Sequence, residues 1–196
     1  MPDLVAIYGS PRKDGNTSTL LKHTVDGAKT EGAKVREFVL RDMKLSPCLE
    51  IYGCKKDGRC VIKDDFQQIA DAVLASRAVI LASPIFFYTV SAHTKIFMDR
   101  CQSLWVKKYW LDEAAKREPR RVGLFISAGA TRGKKLFDGA LLSVRYLFDV
   151  LEAEPLEPLL YRGLDEKGAV LEHPEYLEQA KRAGAGLARA VRERWG

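Results

Sequence analysis

Cysteine is scarce in this chain: four in 196 residues, at Cys48, Cys54, Cys60 and Cys101. That is too few for a disulfide scaffold at this length, so cohesion has to come from a buried apolar core. Three of the four cluster, which in a reducing compartment points to metal or redox chemistry before structural bridges. Long hydrophobic runs are missing as well, which excludes a membrane span and a membrane partner. Met1-Pro2-Asp3 leads straight into the first apolar run, so no signal peptide is expected and the expected location is cytoplasmic. Charge of one sign never accumulates. Lys and Arg number 32 against 26 Asp and Glu, a formal net charge of +6, yet the bases are interleaved with acids as in Lys63-Asp64-Asp65 and Arg192-Glu193-Arg194. That argues against nucleic acid as a partner and leaves a mild field that draws anionic nucleotides. Repeats, linkers and low-complexity segments are absent, so residues 1–196 read as one domain. There is no convincing triad or acid–base pair, and no side chain is assigned a catalytic role.

What is there begins with Leu4-Val5-Ala6-Ile7-Tyr8, an apolar run of buried-strand length. Gly9-Ser10-Pro11-Arg12 follow as a small-residue turn, then Asn16, Thr17 and Ser18, which are helix-capping types, and then Leu20-Leu21. A strand, a slim turn and a helix N-terminus make an anion seat, with hydroxyls and Arg12 as further donors. The turn has neither the lysine-bearing loop of nucleoside triphosphatases nor the GxGxxG of dinucleotide folds. Its hydroxyl-rich form suits a terminal phosphate monoester. The blander alternative is a strand–turn–helix whose polar residues only cap.

Further along, Lys34 to Leu40 alternates as a second strand, and Asp42 to Cys60 is an aperiodic excursion with Pro47, Gly53 and Gly58. Asp64-Asp65 open a helix carrying Phe66, Ile69 and Val73 on one face. Ala78 to Ser83 reads as a third strand stopped by Pro84, with a helix from Ser91 to about Leu104. Trp105 to Pro119 reads as an inserted surface segment. Arg121–Ser127 and Pro155–Tyr161 are the fourth and fifth strands, separated by a helix over Lys134–Leu151 and followed by one over Pro174–Trp195. Five β–α units predict an α/β fold: a doubly wound, five-stranded parallel sheet in the order 2-1-3-4-5, helices on both faces. Ligands of such sheets bind beyond the strands' carboxyl ends, between strands 1 and 3.

Two further loops reach that place. After strand 3 comes Ser83-Pro84-Ile85-Phe86-Phe87-Tyr88-Thr89-Val90-Ser91, leading to Lys95 and Met98-Asp99-Arg100; after strand 4 comes Ser127-Ala128-Gly129-Ala130-Thr131-Arg132. With G-S-P-R-x-x-G-N-[ST] of the first loop, these resemble the three flavin loops of the flavodoxin-like NAD(P)H-dependent FMN reductases, a family that includes the iron–sulfur flavoproteins. The resemblance implies FMN as cofactor and NAD(P)H as electron donor, with the electrons passed to an acceptor that the sequence leaves unnamed. It assigns cofactor contacts to Ser10, Arg12, Asn16, Thr17 and Ser18, to Pro84, Ile85, Phe86, Phe87 and Tyr88, and to Ser127, Gly129 and Thr131. It also implies a homodimer or homotetramer. Three successive aromatics cannot all face inward from an extended segment, so at least one of Phe86, Phe87 and Tyr88 should line a pocket or an interface. Lys95, Asp99 and Arg100 read as helix-surface or dimer salt-bridge residues. Two other roles for the same fold stay open: a flavodoxin-like electron carrier, and a cofactor-less regulatory or scaffold protein.

The cysteine segment resembles the C-x2-C-x2-C-x4–7-C pattern of the iron–sulfur flavoproteins, followed here by Val61-Ile62-Lys63-Asp64-Asp65. Ile51 stands at the second ligand position and cannot bind iron. No four-thiolate cluster is therefore expected, and Cys48, Cys54 and Cys60 are left as a labile metal site or as free thiols. Cys101 reads as a small buried hydrophobe.

Overall fold

The computed structural model describes residues 3–111 and 119–196. Most of the expected insertion after Trp110 lies outside the described residues. β1 (Leu4–Tyr8) is fully buried, as an apolar run without alternation should be. It pairs in parallel with β2 (Val35–Val39) on one side and β3 (Ala78–Phe86) on the other. β3 then pairs with β5 (Arg121–Gly129), again in parallel. The expected order of strands is observed. Between them run α1 (Asn16–Thr30), α2 (Phe66–Ala75), α3 (Ala92–Arg100), α4 (Gln102–Trp105) and α5 (Asp138–Val150), and α6 (Pro174–Trp195) closes the chain.

The sheet has seven strands, not five, because of two local departures. The expected fifth strand is split into β6 (Ala153–Pro155), along the start of β5, and β7 (Leu159–Arg162), along its end. Pro155 and Pro158 have no N–H to give a ladder, so the chain bows out between them. Pro84, expected to stop the third strand, does not. Gly9 donates to the Ala82 carbonyl, which sets that side of β3 toward β1. By alternation Pro84 faces the same side, beyond the end of β1 at Tyr8, where no ladder bond is lost. β3 therefore continues to Phe86, turns at Phe87-Tyr88 and returns antiparallel as β4 (Thr89–Val90). The start of the expected insertion is helical instead: α4 runs into a wide turn over Val106–Trp110, where the Leu111 N–H reaches the Val106 carbonyl at 3.0 Å.

Alternate residues of β1 feed two cores. Leu4, Ala6 and Tyr8 pack with Leu20, Leu21 and Val25 of α1 and Leu187 of α6. Val5 and Ile7 pack with Phe66 and Ile69 of α2, Phe97 of α3 and Phe148 of α5. Helices thus cover both faces, as a doubly wound sheet requires. On the first face α1 and α6 approach to backbone contact: a Cβ on Gly27 would stand 1.9 Å from the Lys181 carbonyl oxygen, and one on Gly184 1.8 Å from that of Thr24. On the second face Arg121, 2% exposed, has its guanidinium on carbonyls at the ends of two helices, Val73 (2.9 Å) and Leu74 (2.5 Å) in the last turn of α2 and Leu151 (2.9 Å) just after α5. Among the described residues no helix is long and apolar enough to cross a membrane.

Candidate functional site

The turns after β1, β3 and β5 converge at the carboxyl edge of the sheet. A chain of buried hydroxyls ties them together. Ser127 donates to the Ser83 carbonyl (2.7 Å), the Ser83 Oγ accepts from the Ser91 N–H (2.9 Å), and the Ser91 Oγ donates to the Gly9 carbonyl (2.5 Å). Ser91 also caps α3, accepting from the Thr94 N–H at 3.2 Å. Gly9 has no room for a side chain, since a Cβ there would lie 1.9 Å from Thr94 Oγ1.

The three turns, joined by Leu164 and Asp165 beyond β7, enclose a cleft of about 120 Å³. Ser10, Arg12, Asn16 and Thr17 line one wall, Pro84, Ile85 and Phe86 a second, and Ala128, Gly129 and Ala130 a third. α1 starts at Asn16 from Gly15, with no side-chain cap, so Asn16, Thr17 and Ser18 form its first turn rather than its cap. Their N–H groups precede the first intrahelical acceptor, and the positive end of the helix dipole coincides with them. Thr17 Oγ1 is buried in that wall and has no hydrogen-bond partner among the described residues. A buried hydroxyl without a partner, at a helix N-terminus on a cleft, is chemically suited to an anionic oxygen.

Other expected contacts are redirected. Asn16 is the clearest case. Its Nδ2 donates to the carbonyls of Leu164 (3.4 Å) and Glu166 (2.9 Å), and its Oδ1 accepts from the N–H groups of Gly168 (3.1 Å) and Val170 (3.2 Å). The carboxamide is saturated by the 164–170 segment and builds a wall rather than meeting a ligand. Arg12 gives Nη1 to the Asp165 carbonyl (2.9 Å) and is exposed at the rim that the cleft shares with the adjoining groove. Ser10 Oγ lies against the Arg12 backbone, at 3.2 Å from its N–H. Ser127 is wholly buried and its hydroxyl is spent on Ser83. Ser18 lines that adjoining groove with Thr19 and Lys22, bounded on the cleft side by Ser10 and Arg12. Thr131 is exposed and outside the cleft lining. Of the three aromatics only Phe86 lines the cleft. Phe87, 99% exposed, and Tyr88 form the hairpin tip at φ 48° and 62°, left-handed values that bulky residues adopt at a cost. The Leu164–Asp165 wall was not anticipated. Its only signal in the sequence is Gly163, which sits at φ +77° and lets the chain turn back over the cleft.

Residues 2–154 match the family model described as NADPH-dependent FMN reductase. The chain belongs to that family. It is 37% identical over 101 residues to an iron–sulfur flavoprotein of Methanocaldococcus jannaschii, covering 52% of this chain and 52% of that one, so the match spans about half the length of that relative. A second iron–sulfur flavoprotein of the same organism is 30% identical over 154 residues, 76% of this chain and 72% of that one. Among solved structures, a flavodoxin from the domain Archaea superposes with a TM-score of 0.59 at 16% identity, covering 96% of this chain and 98% of that one. That likeness speaks to the fold, which is flavodoxin-like.

Three of the four cysteines of this FMN reductase family member, Cys48, Cys54 and Cys60, border another hollow, of about 510 Å³, together with Ile51, which is 59% exposed. Burial, and then the neighbouring Cys60 and Cys48, push the Cys54 thiol up. Among the described residues no three of His, Cys, Asp or Glu come together as a metal-holding group. With Ile51 at the second position, the donor set does not fit a four-thiolate cluster. Arg100, expected on a helix surface, is buried: its side chain is 0% exposed and pairs at 2.5 Å with Asp64, whose side chain is 8% exposed. Burial alone would raise the Asp64 carboxyl, but the guanidinium and the N–H groups of Ser46 and Phe66 hold it below the usual carboxylate range. Cys101 is buried as expected.

Proposed function

We propose that this chain is an FMN-dependent oxidoreductase that takes hydride from NADH or NADPH and passes the electrons to a small-molecule or protein acceptor. The observation that carries the reading is the unpartnered Thr17 hydroxyl, buried at the N-terminus of α1 on the cleft wall. A terminal phosphate would accept from that hydroxyl and from the first-turn N–H groups, while Arg12 adds a charge-assisted donor at the rim. The cleft, about 120 Å³, is small against the ~300–1,000 Å³ of whole small-molecule pockets, so it suits the phosphate end and leaves a flat ring on the open apron of Ile85, Phe86 and the Ala128–Ala130 backbone. FMN, when bound there, supplies a ring system that accepts hydride from a nicotinamide and gives electrons onward. The chain's part is to bind, to orient and to leave one face open, which needs no acid–base pair. Anaerobic mixing of the FMN-loaded protein with NADPH or NADH tests this. Bleaching of the flavin absorbance is expected; FMN that binds but stays oxidised with both donors would make the chain an electron carrier, and no FMN uptake would leave a regulatory or scaffold role.

The assembly belongs to the same proposal. Phe87 and Tyr88 at the hairpin tip, with Trp105, Tyr109 and Trp110 after α3, leave large aromatic surfaces exposed on one chain. Their burial between two or four copies would remove that surface from water. Light scattering on the purified protein is expected to give a dimer or tetramer, and a monomer at micromolar concentration would sink the idea.

A further inference from the structure

We infer that the segment between Lys44 and Asp65 is closed by the buried Arg100–Asp64 ion pair and not by an iron–sulfur cluster, so that Cys48, Cys54 and Cys60 remain free thiols. A cluster joins distant chain positions through four thiolates, and in this segment one of those positions is Ile51. The joining is done here by one guanidinium reaching out of α3. Arg100 donates to Asp64 Oδ2 (2.5 Å) and Oδ1 (3.0 Å), to the Ser46 carbonyl (2.9 Å), to the Ile62 carbonyl (3.4 Å) and to the Cys60 sulfur (3.3 Å).

Both limbs of the segment are therefore held from a single point. Asp64 completes the link, accepting from the Ser46 N–H (2.9 Å) and the Phe66 N–H (3.0 Å). Beside it, Asp65 Oδ2 accepts from the Lys44 N–H (2.7 Å), and the Asp65 N–H returns to the Lys44 carbonyl (3.0 Å). The guanidinium also lies over the Phe66 ring, 4.7 Å from its centroid. These contacts use no thiolate as a cross-link, and the Cys60 sulfur is occupied as a hydrogen-bond acceptor. Of the carboxylates near the thiols, Asp64 is committed to Arg100 and Asp99 at the edge of the hollow pairs with Lys95 at 2.6 Å, while Glu50, which also lines the hollow, is not drawn together with the cysteines into a metal-holding group among the described residues. A largely buried ion pair whose partners are also hydrogen-bonded to the backbone is a setting in which loss of one partner is strongly disruptive.

The test reads the segment itself, so it stands apart from whether the cleft takes FMN. The full chain is purified anaerobically, assayed for iron and acid-labile sulfide, and followed by hydrogen–deuterium exchange before and after EDTA. The expected result is iron well below the about four per chain of a cubane cluster, and an exchange pattern over residues 44–64 that EDTA leaves unchanged. Arg100→Gln should speed exchange in that segment by about tenfold or more, and Ile51→Cys should take up iron and sulfide on reconstitution where the natural sequence does not. If Arg100→Gln fails to fold, Asp64→Asn, which keeps the shape and removes the charge, is expected to give the same acceleration. About four iron per chain in the natural protein, with exchange that accelerates when EDTA removes it, would overturn the inference. So would unchanged exchange in both Arg100→Gln and Asp64→Asn.

Discussion

Replacing Thr17 by valine is expected to raise the FMN dissociation constant about ten- to hundredfold while riboflavin binding hardly changes, because a hydrogen bond to a charged group is worth roughly 1.5–3 kcal/mol. Valine keeps the shape of threonine and removes the hydroxyl. Among the described residues that hydroxyl has no partner, so its removal costs the fold little and relieves a buried polar atom. The Thr17→Val protein should therefore melt at the same or a slightly higher temperature without ligand while binding FMN more weakly. Asn16→Ala provides the contrast. Its carboxamide holds the 164–170 segment that forms one wall of the cleft, so its loss should weaken FMN and riboflavin together and lower the melting temperature. Calorimetric titration of both ligands into both variants separates the two roles. Equal losses for FMN and riboflavin in Thr17→Val would refute a phosphate at the helix N-terminus.

Gly184→Ala is expected to destabilise the fold by about 3 kcal/mol or more, at the upper end of overpacking costs. The new methyl carbon would stand 1.8 Å from the Thr24 carbonyl oxygen, a backbone atom that cannot swing aside. Either α6 lifts from α1 or α1 shifts on the sheet, and both open the core formed by Leu20, Leu21 and Leu187. The neighbouring Gly186 is the control. A Cβ there meets nothing nearer than Arg189 Nη2 at 3.9 Å, so Gly186→Ala should be neutral or stabilise the helix by up to about 1 kcal/mol. Urea unfolding of the two variants side by side measures the difference. Because α1 carries Thr17 in its first turn, Gly184→Ala should also weaken FMN binding from the far side of the molecule. Unchanged stability in Gly184→Ala would mean that the two helices are not locked together through Gly184.

The alternation of apolar runs with amphipathic helices was enough to determine the doubly wound sheet and the order of its strands. The three central runs, in β1, β3 and β5, are buried on both faces over most of their length, and right-handed crossovers leave few ways to connect five strands around them. For the same reason the sequence located the cleft: loops after the first, third and fourth parallel strands must meet at one edge of the sheet. That Ile51 stands where the resembled pattern has a cysteine was also legible, since identity alone decides whether a side chain can bind iron.

Tertiary structure decided what each polar side chain does with its hydrogen bonds. Asn16 and Thr17 are adjacent and of similar type, yet Asn16 is saturated by a segment about 150 residues further along and the Thr17 hydroxyl has no partner among the described residues. Local sequence holds no trace of that division, because the partners come from the far end of the chain. Arg100 shows the same limit. Its neighbours in sequence suit an exposed helix, and only the fold shows that Ser46, Ile62 and Asp64 supply enough acceptors to bury a guanidinium. Pro84 stays within a strand because β1 has already ended beside it. In all three places long-range partners outweigh local preference, since a buried polar group or a missing N–H is costly only when nothing else is there to compensate.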